Sequence, residues 1–270
     1  MNVAVGLGRL GLDVTLATAI GDDTYGALIE SHLATAAVTL GAGSREFGLT
    51  SCAVAHLASD GSATYDFELT WDPGLIPVPD GVNAVHTGSI AATLAPGADD
   101  VEMLLRELAP SAIVSVDPNI RPALLPDHDD VARRVDRLVG LADIVKVSDE
   151  DLAWLSPDEP ADAVAHRWLE AGPAIVVVTR GGDGSTAFAR SGRIDVPAPP
   201  TEVVDTVGAG DSYMSGLLFG LHREGLLTGE QRTELYEIDR DALTRVTAVA
   251  AQSAAWTVGR AGAQPPDSLD

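Results

Sequence analysis

From residue 84 to residue 180 the chain repeats one pattern: a short run of apolar, often β-branched residues, a polar break, and a longer stretch with helical periodicity. The apolar runs are AVHTGS at 84–89, AIVSVD at 112–117, DIVKVS at 143–148 and AIVVVTR at 174–180, with helices predicted near 97–108, 128–140, 149–155 and 160–171. Strands so short and so apolar are buried on both faces, which a parallel sheet covered by helices on each side provides. The expected class is therefore α/β with a mostly parallel central sheet. Ligands of such sheets sit at the carboxyl ends of the strands.

Ahead of this repeat, Asn2–Leu10 is helix-compatible and stopped by Gly11, Asp13–Ile20 (DVTLATAI) reads as a strand, and a helix follows Gly21-Asp22-Asp23 from Thr24 to about Ala36. Two strand-like runs, 49–57 and 63–69, flank Ser59-Asp60-Gly61-Ser62, and Asp-Gly between such runs signals a hairpin. We expect a small β lid over residues 46–72. Gly6-Leu7-Gly8-Arg9-Leu10-Gly11 satisfies the dinucleotide-binding spacing, which would point to a nicotinamide oxidoreductase. That motif needs a strand before it, and only five residues precede Gly6; its glycines read instead as the close-packing face of a helix.

Charge and rare residues remove several function classes. Seventeen Lys and Arg against forty Asp and Glu give a formal charge of −23, which repels nucleic acid and anionic membranes. Cys52 is the only cysteine, so neither an internal disulfide nor a cysteine zinc cluster can form, and a reducing cytoplasm fits. No apolar run of membrane-spanning length is present. Lys146 is the only lysine, and no lysine is expected near any glycine-rich loop where it could reach a phosphate, which excludes a Walker-type phosphate loop. His32, His56, His86, His128, His166 and His222 are scattered without metal-ligand spacing.

The segment from Val203 to Leu218, VVDTVGAGDSYMSGLL, reads as a strand, a turn of small residues and an apolar-periodic helix. The N–H groups of Gly208, Ala209 and Gly210 would be unpaired at that helix start and would face an anion. Asp211 in the same turn would repel a phosphate. The conflict resolves if Asp211 is a general base taking a proton from a hydroxyl that attacks phosphorus; alone, it could equally be an acid favoured by the helix dipole.

These residues resemble the second signature of the PfkB, or ribokinase-like, carbohydrate kinases, Asp-Thr-x-Gly-Ala-Gly-Asp, and the chain's start, from Asn2 through Gly11 and Gly21 to Gly26, resembles the tail of the first. The resemblance implies one ribokinase-like domain over residues 1–270, a three-layer α/β/α fold with the lid at 46–72. It implies ATP-dependent phosphorylation of a small sugar's hydroxymethyl group. Asp211 would be the base, Gly208, Ala209 and Gly210 the anion hole, and Asn2 a contact to sugar hydroxyls. Thr179, Gly181 and Gly184 match the family's nucleotide loop, or form a plain hairpin turn. Ser148 and Asp151 stand where the family often has Asn and Glu near magnesium and phosphate, and Ser148 could also be a plain helix cap. Mg²⁺ would then be held mainly by ATP oxygens and water. Arg121, in Asp117-Pro118-Asn119-Ile120-Arg121, would orient ATP or product, or make a structural salt bridge. Gly262 matches a loop closing over adenine, and the carbonyls of Asp205 and Val207 would take a monovalent cation such as K⁺.

The stretches 115–122 and 145–151 look fructokinase-like, which ranks fructose first, 2-keto-3-deoxygluconate second, and ribose or a nucleoside after them. A homodimer through the lid is a further family expectation. The family usually carries a first strand with an acidic sugar ligand and a Gly-Gly pair before the signature asparagine. Here Met1 directly precedes Asn2, so the sheet is expected to lack a member, with low stability or activity, and an inactive sugar- or nucleotide-binding remnant is the competing class.

Overall fold

The computed structural model describes residues 1–45, 48–57, 63–74, 76–125 and 127–269. In chain order the strands are β1 (Thr15–Leu16), β2 (Thr39–Leu40), β3 (Cys52–Leu57), β4 (Ala63–Glu68), β5 (Ala84–Gly88), β6 (Ile113–Asp117), β7 (Ile144–Ser148), β8 (Ile175–Thr179), β9 (Ser185–Ala189) and β10 (Gly192–Val196). The helices are α1 (Asn2–Arg9), α2 (Thr24–Ala34), α3 (Ile90–Thr93), α4 (Gly97–Leu108), α5 (His128–Val139), α6 (Asp149–Leu155), α7 (Ala161–Ala171), α8 (Ala209–Arg223), α9 (Arg232–Tyr236) and α10 (Arg240–Val258).

Strands β5 to β8 run parallel in sequential order, and β9 and β10 extend that sheet antiparallel, giving the order β10-β9-β8-β7-β6-β5. Side chains alternate across it, as the strand period requires. Ile113, Ile144, Ile175 and Val177 pack with Met214, Leu217, Leu243 and Val246 of α8 and α10, and with α1. On the opposite face Val114, Val116, Val145, Val147, Val176 and Val178 meet Leu105, Val135, Leu138 and Trp168 of α4, α5 and α7. This is the expected three-layer α/β/α arrangement. Edge strand β5 has β6 as its one neighbour in the sheet among the described residues.

Glycines set how closely α1, α8 and α10 approach one another and the segment after α2. A Cβ on Gly6 would meet Ser215 Oγ at 2.5 Å, one on Gly8 would meet the Ala36 carbonyl at 2.2 Å, and one on Gly216 would meet Ser253 Cβ at 2.7 Å. The Gly6–Gly11 spacing is thus helix packing, with Gly11 (φ +86°) terminating α1.

Three expectations change. The strand expected over 13–20 shrinks to Thr15–Leu16, because its partner is only the two-residue β2, paired in parallel. No strand leads into α8: Val203 and Val204 are exposed, and the Val204 N–H bonds to the Val258 carbonyl after α10 rather than to a sheet. Thr179–Gly184 closes the hairpin weighed for it, between β8 and β9, and β9 and β10 are strands that the sequence pattern did not announce. Strands β3 and β4 form the expected separate antiparallel pair, with register Cys52↔Glu68 to Leu57↔Ala63, while the Asp60-Gly61 turn lies outside the described residues. The pair is tethered at its base, since Asp23 caps α2 through Gly26 N–H and also accepts from Thr50 N–H, both at 2.8 Å. These bonds, Thr50 first, hold the Asp23 carboxyl below its ordinary pKa.

Candidate active site

The first turn of α8 is organised by a left-handed residue. Gly208 has φ +77°, and a Cβ there would lie 2.5 Å from Ala263 Cβ, so the turn needs glycine both for its dihedral and for its contact with the 262–263 loop. Asp205 braces the same loop: its carboxylate accepts from Val207 N–H at 3.0 Å and Gly262 N–H at 2.8 Å, which keeps its pKa below the usual carboxylate range, Val207 contributing most. The side chain of Asp205 is thus spent on the backbone, leaving its carbonyl and that of Val207 as the groups a cation could use. Among the described residues no group of three or more His, Cys, Asp or Glu side chains could hold a metal.

The expected trio of open N–H groups is altered by one residue. Ala209 N–H bonds to the Thr206 carbonyl at 3.2 Å, whereas those of Gly208, Gly210 and Asp211 have no protein acceptor among the described residues. Asp211 replaces Ala209 because the turn tightens back onto Thr206, and the first free donors of a helix are its earliest N–H groups. Open donors of this kind can stabilise an anion.

Asn2 and Asp211, 209 residues apart, meet here: Asn2 Nδ2 donates to Asp211 Oδ2 at 2.8 Å. The contact exists because α1 lies flat on α8 at Gly6. Asn2 and Asp211 line a groove of ≈ 1000 Å³ together with His86, Asp117, Asn119 and Arg121. The nearer part of Arg121 is turned on its own loop, its Nη1 bonding to Asn119 Oδ1 at 2.7 Å and the Ile120 carbonyl at 3.0 Å.

The other expected nucleotide residues lie beside the groove instead of in it. Ser148 and Thr179 are register partners at the carboxyl ends of β7 and β8. Ser148 Oγ accepts from Asp151 N–H at 3.0 Å, an N-cap, and Asp151 Oδ1 accepts from Ile120 N–H at 3.0 Å. Ser148 therefore caps α6 while Asp151 ties that helix to the Asp117–Arg121 loop, and the cap alternative describes Ser148. Gly181 (φ +49°) and Gly184 (φ +87°) form the β8–β9 turn, where a Cβ on Gly184 would strike the Val196 carbonyl at 2.2 Å.

Beneath the helix start is a polar group that sequence separation hid. Lys146, 4% exposed, donates to Asp117 Oδ2 at 2.8 Å, and its Nζ lies 2.9 Å from where a Gly210 Cβ would be. The lone lysine is thus directly behind a glycine-rich turn, correcting the expectation of none nearby; parallel pairing of β6 with β7 brings it there. Asp117 is 2% exposed with Oδ1 unpartnered among the described residues, and burial pushes its pKa up to about 6 against the pull of Lys146. On β5, His86 Nδ1 lies 3.0 Å from Ser115 Oγ, and that hydroxyl's proton goes to the Val85 carbonyl at 3.2 Å. A proton on His86 Nδ1 fits that arrangement and leaves Nε2 as an acceptor. Burial lowers its pKa to about 4, so the ring is neutral.

A family model for pfkB family carbohydrate kinases matches residues 1–269. The chain belongs to that family. It is a sugar kinase, an enzyme transferring a phosphoryl group to an alcohol. Among curated relatives, a fructokinase of Rhizobium leguminosarum bv. trifolii is 35% identical over 87% of this chain and 74% of its own length. A fructokinase of Klebsiella pneumoniae is 34% identical over 83% of this chain and 76% of its own. Among solved structures, a fructokinase with bound ATP from Xylella fastidiosa superposes with TM-score 0.76 at 26% identity, covering 97% of this chain and 84% of that one. The aminoimidazole riboside kinase of Salmonella enterica shares the fold at TM-score 0.78 and 24% identity, covering 97% and 85%. No described helix is long and apolar enough to cross a membrane.

Proposed function

We propose that this carbohydrate kinase moves the γ-phosphoryl group of ATP onto a primary hydroxyl of fructose, with Asp211 as the general base. The carrying observation is the Asn2–Asp211 bond at the open start of α8, which puts a fixed carboxylate beside N–H groups free to meet an anion. The sugar hydroxyl gives its proton to Asp211 as its oxygen forms a bond to the γ-phosphorus. The bond from that phosphorus to the bridging oxygen breaks, and ADP leaves with the electron pair. The Gly208, Gly210 and Asp211 N–H groups oppose the charge on the transferring oxygens, and Asn2 keeps the carboxylate aimed while contacting sugar.

ATP would lie over the β7 and β8 ends, near Thr179, Gly181 and Gly184, and against the Gly262 loop that Asp205 fastens to α8. Mg²⁺ would enter with the nucleotide, held by phosphate oxygens and water, since the described residues offer no carboxylate cluster for it. Its contribution is neutralisation of phosphate charge. K⁺ would suit the carbonyls of Asp205 and Val207. The 35% and 34% identical fructokinases support fructose as substrate, and the ATP-bound relative supports the donor.

ADP release measured with fructose, 2-keto-3-deoxygluconate, ribose and glucose tests the reading. Release that requires a sugar and is fastest with fructose is expected; release indifferent to sugar would contradict it.

A further inference from the structure

The Lys146–Asp117 pair is poorly explained as a stabilising device. Dehydrating an ammonium and a carboxylate is costly, and an isolated buried pair often does no better than apolar residues of similar volume. This one is also incompletely satisfied, because among the described residues Asp117 Oδ1 is buried without a partner and Lys146 has no side-chain acceptor besides Asp117. Its location gives it a use. The ammonium is held against Gly210, whose missing Cβ leaves the 2.9 Å approach open, and Gly210 contributes one of the free N–H groups at the start of α8.

We propose that Lys146 is a positioning residue of the phosphoryl-transfer site, clamped by Asp117 so that a fixed positive charge stands directly behind Gly210 and the first turn of α8. The proposal rests on the reading of Asp211 as the base. Charge developing on the transferring phosphoryl group would feel this ammonium through a dry layer one backbone thick, where electrostatic effects are much stronger than in water. Asp117 keeps the cation from shifting, and Lys146 in turn keeps Asp117 ionised near Asp211. The other titratable groups around them are His86 on β5 and Asp151 on α6.

The test compares Lys146→Met, Lys146→Met/Asp117→Leu and Asp211→Asn in the full chain, reading kcat, fructose KM, the kcat–pH profile and thermal melting. Lys146→Met should lower kcat on the order of tenfold or more with KM little changed, the scale of losing a preorganised charge at the transition state. Asp117, deprived of its cation, should take up a proton at neutral pH, so the fall in kcat reports the missing ammonium and not a new carboxylate charge. The double variant removes both charges and should melt as the parent does, so it carries the test if the single variant fails to fold. There kcat should stay low although the site is fully folded. Full kcat in a folded double variant would overturn the proposal, since apolar packing would then suffice. Asp211→Asn separates the two readings: if it retains activity, the base assignment fails; if it is inactive while both Lys146 variants are fully active, only the present inference fails.

Discussion

Gly6→Ala should damage the active site without touching it. A Cβ at Gly6 would stand 2.7 Å from Ser215 Cβ and 2.5 Å from Ser215 Oγ, with Pro265 at 3.4 Å behind. Both contact points are on regular helices, α1 and α8, so neither side chain can turn away. Relief to ordinary carbon contact requires the helices to part by about 0.7 Å. That displacement stretches the 2.8 Å Asn2–Asp211 bond to about 3.5 Å, past useful hydrogen-bond length. Overpacking of this kind costs about 1–3 kcal/mol, or roughly 2–12 °C of melting temperature for a chain of this size. Melting curves and steady-state kinetics with fructose would show a lower Tm, and a kcat reduced beyond the loss of folded enzyme. Gly8→Ala is the contrast: its Cβ strikes the Ala36 carbonyl at 2.2 Å, away from α8, so it should destabilise while leaving kcat per folded molecule close to the parent. Gly6→Ala/Ser215→Gly should recover kcat despite the added helical glycine. A Gly6→Ala variant with parental Tm and kcat, or a double variant that recovers nothing, would refute the packing argument.

Two further perturbations read other parts of the site. His86 titrates near 4 when folded against an ordinary 6.5, so protons favour the unfolded chain; its contribution is complete above pH 6.5 and is lost as pH falls toward 4. His86→Gln should flatten the stability-against-pH curve in that window by at most about 3 kcal/mol, less to the extent that the groove admits water, as measured by urea unfolding. Asp205→Ala frees the Val207 and Gly262 N–H groups and loosens the loop beside α8. It should raise ATP KM several-fold, roughly the value of one or two charged hydrogen bonds shared with the loop, while fructose KM stays near the parent.

The repeat from 84 to 180 was legible because buried parallel strands and amphipathic helices impose different periods, and each of its strands begins within a residue of where the apolar run does. Helix α8 was legible from its small-residue turn and the apolar period after it. The strand expected from Asp13 to Ile20 was not realised in full, since apolar content cannot say how long a partner is, and β2 offers only Thr39 and Leu40. Val203 and Val204 look strand-like in isolation but have no sheet beside them. Of the site, the local turn could be read, while the Asn2–Asp211 bond needed the family resemblance to join its two ends. Lys146 behind Gly210 was invisible for a different reason: it depends on β7 lying next to β6 and on which face residue 146 takes. Motif spacing carries neither fact. His86 was set aside for lack of metal spacing, and its signal, a histidine near the carboxyl end of a parallel strand, is meaningful only once β5 is placed at the groove.

The central claim is that Asp211 removes the proton from the sugar hydroxyl, and Asp211→Asn tests it with almost no change in shape. The amide can keep a hydrogen bond in this position but cannot take a proton at neutral pH. Fructose-dependent ADP release by the purified variant should fall by about 10²–10⁴-fold in kcat, the usual scale for losing a general base, with fructose KM and Tm close to the parent. Turnover within a few-fold of the parent in a folded Asp211→Asn enzyme would contradict the account.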